Sequence, residues 1–320
     1  MRALRTSSLV AALCSAAALA ACLPAGGSLP EVRVHASVSP LAAEALAVLA
    51  QNRRVARVVL VADPAAAEVG WFGDPTEALA AAPLLVPGSA PPQPEVAARW
   101  RDARGRFFPL CARARVLLVN PHAGLPLAPR HLRDLAHPRL AGMQALVPFG
   151  REEGPLTAAA LSLVLGEAAT RELLDAIARG RPQLFANEAA VQAAVASGRA
   201  GFGLAGSEQG AAGAVSAAAL EVVYPDEGAT GALVFPTAAA ILARGRGSEG
   251  ARRLVKWMAS ADAEELMAAR APGCMPLRRG VPLPYGVRSA ADVASPSLDW
   301  EDLAAARQKF LPLLSRWPEP

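Results

Sequence analysis

The sequence predicts an α/β chain with mainly parallel sheets, and three observations carry that prediction. Strand-like apolar runs, polar loops and capped helices follow one another repeatedly, most plainly from Leu132 to Gly166. Glycine and proline punctuate the joints between them. The chain has 320 residues, 53% of them apolar, which is enough for two lobes with separate cores. Loops that leave the carboxyl end of a strand and enter a helix present unpaired N–H groups and a positive dipole end. Such loops suit small polar or anionic ligands.

In chain order, residues 1–21 read as a leader: Arg2 and Arg5 precede an apolar run from Leu9 to Ala20, and small residues precede a cysteine. Leu19-Ala20-Ala21-Cys22 matches a lipoprotein box, so Cys22 is expected to carry lipid and begin the mature chain. A plain secretory leader cut after an Ala-x-Ala site is the alternative. Leu23 is not the aspartate that in many Gram-negative bacteria keeps a lipoprotein at the inner membrane, so either membrane stays open. Residues 22–30 form a Pro/Gly/Ser linker. Net charge is 32 − 28 = +4, or +2 once Arg2 and Arg5 leave, which gives no ground for nucleic-acid binding or a polybasic membrane patch. With Cys14 in the leader and Cys22 acylated, only Cys111 and Cys274 remain. An exported pair invites a disulfide, and two separate buried thiols are the alternative.

Val32 to His35 alternates as a first strand. Ser39 caps the next helix with Pro40 in its first turn and Leu41, Ala45, Val48 and Leu49 as its apolar stripe. Ser37 is therefore the better ligand candidate, since its hydroxyl is not spent on a cap. Arg57 to Val61 and Ala67 to Trp71 read as strands, and Asp74 with Glu77 three positions on reads as a capping box. Phe107 to Asn120 is a long strand-like run on which Arg113 and Arg115 share one face by period two. After the loop Phe149 to Pro155, Thr157 opens a helix, Glu167 to Ala178 forms another, and Asn187 either caps Glu188 to Ala196 or bonds a ligand. Ser207 and Glu208 open a short helix, and Gly231 to Ala240 reads as a single strand. Ser248 and Ser260 cap two more helices, and a last amphipathic segment, Trp300 to Leu314, is interrupted by Pro312.

Asp134-Leu135, His137-Pro138 and Gly142 with the apolar strand after them carry a family likeness. Val69-Gly70-Trp71-Phe72-Gly73-Asp74-Pro75, Arg113 to Asn120, Val195-Ala196-Ser197-Gly198, Tyr224-Pro225-Asp226 and Pro276-Leu277-Arg278 extend it in the same order. Over residues 31–315 the chain resembles the periplasmic solute-binding proteins of ABC importers, most of all the ferric-iron-binding type. The resemblance implies a two-lobed type II periplasmic binding fold with a strand hinge and the solute in the cleft between lobes. It assigns residues 31–116 and 235–290 to lobe 1, 117–234 to lobe 2, and 291–320 to a helical segment docked on a lobe. Ligand residues implied are Ser37 and Gly73 from lobe 1, Arg113 or Arg115 near the hinge, and Gly154, Thr157, Asn187, Ser207 and Glu208 from lobe 2. The same likeness places Cys111 and Cys274 near the hinge. An arginine fork beside a helix N-terminus favours an anionic solute.

The chain departs from the iron-binding pattern where adjacent tyrosines would supply phenolates. Leu204-Ala205-Gly206-Ser207-Glu208 stands there, and Tyr224 and Tyr285 are the only tyrosines. His35, His122, His131 and His137 show no zinc-type spacing, so neither a metal site nor a cofactor is expected. Gly201-Phe202-Gly203-Leu204-Ala205-Gly206 spells a dinucleotide fingerprint but follows a helix and itself reads as strand, so it fails on context. No catalytic motif stands out; Glu152 and Glu153 are adjacent without an evident acid/base partner. The expectation is an exported, lipid-anchored, monomeric solute receptor, not an enzyme, serving an ABC permease and ATPase complex. A sensor or scaffold of the same fold is the runner-up, and an exported hydrolase a remote third.

Overall fold

The computed structural model describes residues 28–214, 220–271, 273–283, 287–315 and 317. The leader, Cys22 and most of its linker, and Tyr285 lie outside the described residues. Two sheets organise the chain. The first contains β1 (Glu31–Ala36), β2 (Arg57–Val61), β3 (Val69–Phe72) and, far along the chain, β10 (Ala238–Ile241), in the order β10-β3-β1-β2. β1 runs parallel to β2 and β3, and β10 is antiparallel to β3. The second sheet has the order β6-β5-β7-β4-β8, from β4 (Ala112–Val119), β5 (Gln144–Leu146), β6 (Gln183–Leu184), β7 (Phe202–Gly206) and β8 (Glu221–Val223). Its β5 is parallel to β6 and β7, while β7, β8 and β9 (Val234–Pro236) pair antiparallel with β4.

Helices α1 (Pro40–Asn52), α2 (Pro75–Ala80), α7 (Glu249–Met258) and α8 (Ala261–Arg270) belong to the first lobe. The second holds α3 (Gly154–Leu165), α4 (Glu167–Arg179), α5 (Glu188–Ala196) and α6 (Ser207–Ala214). Ser39, Ser248 and Ser260 cap α1, α7 and α8, each accepting from an N–H three residues on, as their spacing predicts. The stripe expected on α1 is displaced by one position. Ala42, Leu46, Leu49 and Ala50 are buried, while Leu41 and Val48 point outward. Alanines fill so much of α1 that Leu46 and Leu49 set the buried side between them.

The lobe boundary also moves. β4 lies wholly in the second sheet, because Phe108 pairs with Ala239 of the first while Ala112 already pairs with Pro236 of the second. The crossing points are Cys111 and Thr237, which splits the expected single strand 231–240 into β9 and β10. Thr237 donates its N–H to the Cys111 carbonyl at 2.7 Å and closes the joint. Cys111 and Cys274, whose pairing the sequence leaves open, are disulfide-bonded there with Cα atoms 5.4 Å apart.

The final helix α9 (Trp300–Leu314) continues through Pro312. Proline lacks an N–H and clashes with the preceding turn, but here it sits in the last turn, where little helix remains to be lost. Trp300, Leu303, Phe310 and Leu314 are its buried face, set in a core that runs from Leu117 and Phe202 of lobe 2 to Phe72 and Ala78 of lobe 1. Rather than docking on one lobe, α9 touches α3 of the second and α2 of the first. Lys309 pairs with Glu167 on one side, and Arg307 bonds Asp74 and Thr76 on the other.

Candidate functional site

The two lobes meet through the carboxyl ends of their strands, where an open α/β sheet places ligands. From lobe 1 come the loop after β1, carrying Ser37, and the turn from β3 into α2, carrying Gly73. Asp74 caps α2 as predicted, accepting from the N–H groups of Thr76 and Glu77. Glu77 does not complete the expected capping box. Its carboxylate reaches one residue further back, accepts the Gly73 N–H at 3.1 Å, and takes the Ser37 hydroxyl at 2.6 Å. The Ser37 Oγ in turn accepts the Gly73 N–H at 3.1 Å.

Lobe 2 contributes the loop from β5 into α3, the N-terminus of α5 and the junction of β7 with α6. Strand β4, leaving the hinge, sends two arginines among them. Arg113 donates to the Gly73 carbonyl of lobe 1 at 2.9 Å and to Glu153 of lobe 2 at 2.9 Å, with Glu208 at 3.8 Å. Arg115, only 5% exposed, pairs with Glu188 at 2.5 Å, and the other oxygen of Glu188 accepts the Gly206 N–H at 2.7 Å. Glu152, at a left-handed φ of 46°, turns its carboxylate back to accept the Glu188 N–H at 3.3 Å. Period two along β4 thus delivers both guanidinium groups to the cleft side, each already engaged by protein carboxylates.

The electrostatics follow from that crowding. Burial pushes the Glu208 carboxyl up, Arg113 opposes, and the charges of Glu153 and Glu188 push it further up, leaving it above the ordinary glutamate range. Glu77 is likewise raised by burial and by Asp74, against the Ser37 and Gly73 hydrogen bonds. Burial and Glu188 raise Glu152. For Glu153 burial acts upward too, yet the charges of Arg113 and Arg115 outweigh it, and its pKa is lowered.

Several residues named from the sequence hold structure here instead of offering free groups. Asn187 caps α5, its side chain accepting the Ala190 N–H at 2.9 Å. Thr157 is fully buried and spends its hydroxyl on the Glu153 carbonyl at 2.7 Å. Gly154, which begins α3 earlier than Thr157, is a packing necessity: a Cβ there would lie 2.4 Å from the Phe149 carbonyl oxygen. Ser207 Oγ accepts the Ala114 N–H at 3.1 Å and lies 3.3 Å from the Gly273 carbonyl, so it ties α6 to the hinge. Ser37, Gly73, Arg113, Arg115 and Glu208 do converge. The sequence missed Glu77, masked by its resemblance to a capping residue, and Glu188. It noted Glu153 only as one of an unpartnered pair, and Arg307 carried no local signal.

Among the described residues no group of three or more His, Cys, Asp or Glu is arranged to hold a metal ion. Tyr224 is buried, sits under the Arg288 guanidinium, and has its phenol pushed up to about 12 by burial. A concavity of about 740 Å³ beside Trp100, Leu277 and Arg278 contains none of the cleft residues. Strand ends and charge, rather than volume, mark the site.

No family model matches the chain, and no curated protein matches it. Solved structures do. Apo ferric ion-binding protein A of Pasteurella haemolytica superposes with a TM-score of 0.75 at 18% identity, covering 89% of this chain and 96% of that one. The Bordetella ferric binding protein gives 0.75 at 22%, covering 89% and 98%. AfuA of Actinobacillus pleuropneumoniae, solved with exogenous fructose-6-phosphate bound, gives 0.74 at 15%, covering 90% and 100%. The fold is therefore that of periplasmic binding proteins, and the resemblance stated from the sequence holds at the level of the fold.

Proposed function

We propose that this chain is the extracytoplasmic substrate-binding lipoprotein of an ABC importer, closing two lobes on a small solute and presenting the closed form to a permease and ATPase complex. One observation carries the reading: Arg113, on the strand that leaves the hinge, touches Gly73 of one lobe and Glu153 of the other. A solute replacing or extending those contacts would touch both lobes only when they are shut, so its binding would favour the closed form. The chain shares its fold with proteins solved as iron and sugar-phosphate binders, so the fold leaves the charge of the cargo to the residues in the cleft. An anionic solute, expected from Arg113 and Arg115, would have to displace Glu153 or Glu188 from those guanidinium groups.

The test is a thermal-shift screen of small cations, anions, sugars and metal ions, since a ligand bound only by the folded state raises the melting temperature. Small-angle scattering with and without the best ligand should then show a smaller radius of gyration on saturation. An unchanged radius would remove closure and leave the sensor or scaffold reading.

The anchor belongs to the same proposal. It rests on the lipoprotein box at Cys22, and among the described residues no helix is long and apolar enough to cross a membrane. Cys22→Ala should shift the protein from the detergent phase to the soluble extracytoplasmic fraction; unchanged partitioning would remove the anchor.

A further inference from the structure

We infer that α9 is a strap that biases the two lobes toward their shut arrangement before any solute enters, and that Arg307 is its latch on lobe 1. The strap rests on the two-lobed receptor reading above and adds a control on its closure, and its contacts can be tested with no solute present. α9 grips one site loop from each lobe. On lobe 2 it meets the loop from β5 into α3, which carries Glu152 and Glu153. Gly150 of that loop lies so close that a Cβ there would come 2.7 Å from the Leu314 carbonyl oxygen. Phe149 faces Trp317, just past the helix, with ring centroids 5.0 Å apart.

On lobe 1, Arg307 reaches the turn that carries Gly73 and Glu77. One of its guanidinium nitrogens donates to Asp74 Oδ2 at 3.2 Å and to Thr76 Oγ1 at 2.6 Å. Asp74 divides its carboxylate between two tasks: Oδ1 accepts the N–H groups of Thr76 and Glu77 and caps α2, and Oδ2 is left for Arg307. Glu301 adds a more exposed grip on the same lobe, through Arg104 at 3.1 Å and Arg106 at 3.0 Å. A single 15-residue helix held by both lobes cannot follow them as they rotate apart, so opening must release one grip. Packed apolar faces slide a little without losing contact, whereas hydrogen bonds weaken steeply once distance and angle leave their optimum. The Arg307 contact is therefore the one that opening breaks. Its release is costly, because Asp74 and Thr76 are buried and the Asp74 carboxylate would lose its cation. With the Arg307 side chain only 24% exposed, salt screens the pair little. The latch has finite strength, so the lobes still open and a solute can still contract them.

Small-angle scattering of the full chain without ligand reads the balance of open and shut forms. Arg307→Ala should raise the radius of gyration, the open-to-shut ratio growing about ten- to a hundredfold, the range for one charge-assisted bond. Asp74→Asn should do the same: asparagine caps a helix as well as aspartate does, so α2 keeps its start, but the amide turns its NH2 toward the guanidinium. The double variant should be no more open than either single one, because both changes remove one contact. Arg307→Lys should restore part of the shut population, since an ammonium keeps the charge but not the guanidinium geometry.

A lower melting temperature for Arg307→Ala with the wild-type radius would make this an ordinary packing contact and overturn the strap. Opening by Arg307→Ala without opening by Asp74→Asn would overturn the latch, as would a double variant in which the two effects add. If Arg307→Ala does not fold, Asp74→Asn decides alone, and a wild-type radius in that variant overturns the strap. Should both variants open while the thermal-shift screen finds no solute, the strap stands and the receptor reading falls.

Discussion

Arg113→Ala should cost about 3 kcal/mol of stability at neutral pH, the low end of the range for removing one partner of a buried ion pair. The loss is expected because the side chain is 82% shielded (18% exposed) and is, among the described residues, the only guanidinium within ion-pair distance of Glu153 and Glu208. Its removal also strands the Gly73 carbonyl, the contact through which β4 reaches lobe 1. Arg113→Lys should restore only part of the loss, since an ammonium cannot meet Gly73 and two carboxylates with the planar fork of a guanidinium.

The pH dependence gives the sign. In wild type the Glu153 pKa is lowered, burial being outweighed by Arg113 and Arg115, so Glu153 contributes stability above its unfolded value near 4.5 that is lost as pH falls through the folded value. In Arg113→Ala that contribution is largely gone at the outset. The two proteins should therefore converge in melting temperature below the ordinary glutamate range and diverge above it. A gap independent of pH would mean that lost packing, not lost charge, sets the cost.

Much of this fold could be read locally, and the reasons it could are visible in individual residues. Ser39, Ser248 and Ser260 cap their helices because a hydroxyl three residues before an N–H acts within one turn, with nothing distant to decide it. Arg113 and Arg115 reach one side of the sheet because period two is a property of any strand. Tertiary partners decided what failed. Glu77 had every local mark of a capping residue, yet Ser37, forty positions earlier, draws its carboxylate into the cleft. Thr157 was expected to open its helix with its hydroxyl toward the cleft, but the backbone begins α3 three residues sooner and turns that hydroxyl onto the Glu153 carbonyl. An anionic solute, expected from the two arginines, would meet guanidinium groups that already have carboxylate partners. No spacing rule tells that Glu188, 73 residues on, answers Arg115. Arg307 of α9 lies 233 residues from Asp74, and only the docking of α9 across both lobes brings them together.

The Cys111–Cys274 bridge should prove the largest single covalent contribution to stability and, beyond that, a determinant of cleft shape. It closes a loop of sequence separation 163, and removing such a bridge typically costs about 2 to 5 kcal/mol. The test variant is Cys111→Ala with Cys274→Ala, because both positions are buried and alanine brings no unsatisfied hydroxyl. Around the bridge, Ala112 and Met275 exchange backbone hydrogen bonds of 2.9 Å, so the segment before Pro276 lies against the hinge strand. Gly273, with φ at +91°, packs directly on Glu208; a Cβ there would come 2.4 Å from the Glu208 Cα. Its carbonyl also faces the Ser207 hydroxyl. Cutting the bridge should loosen this segment and with it the backbone that holds Glu208 in the cleft. Two readouts are expected to move together: a lower denaturation midpoint, and faster hydrogen exchange at the Ala112 and Met275 amides than at the central β1 amides of lobe 1. If the midpoint falls while those two amides keep their protection, the bridge acts only by restricting the unfolded chain. If they lose protection first, it also fixes the wall of the site.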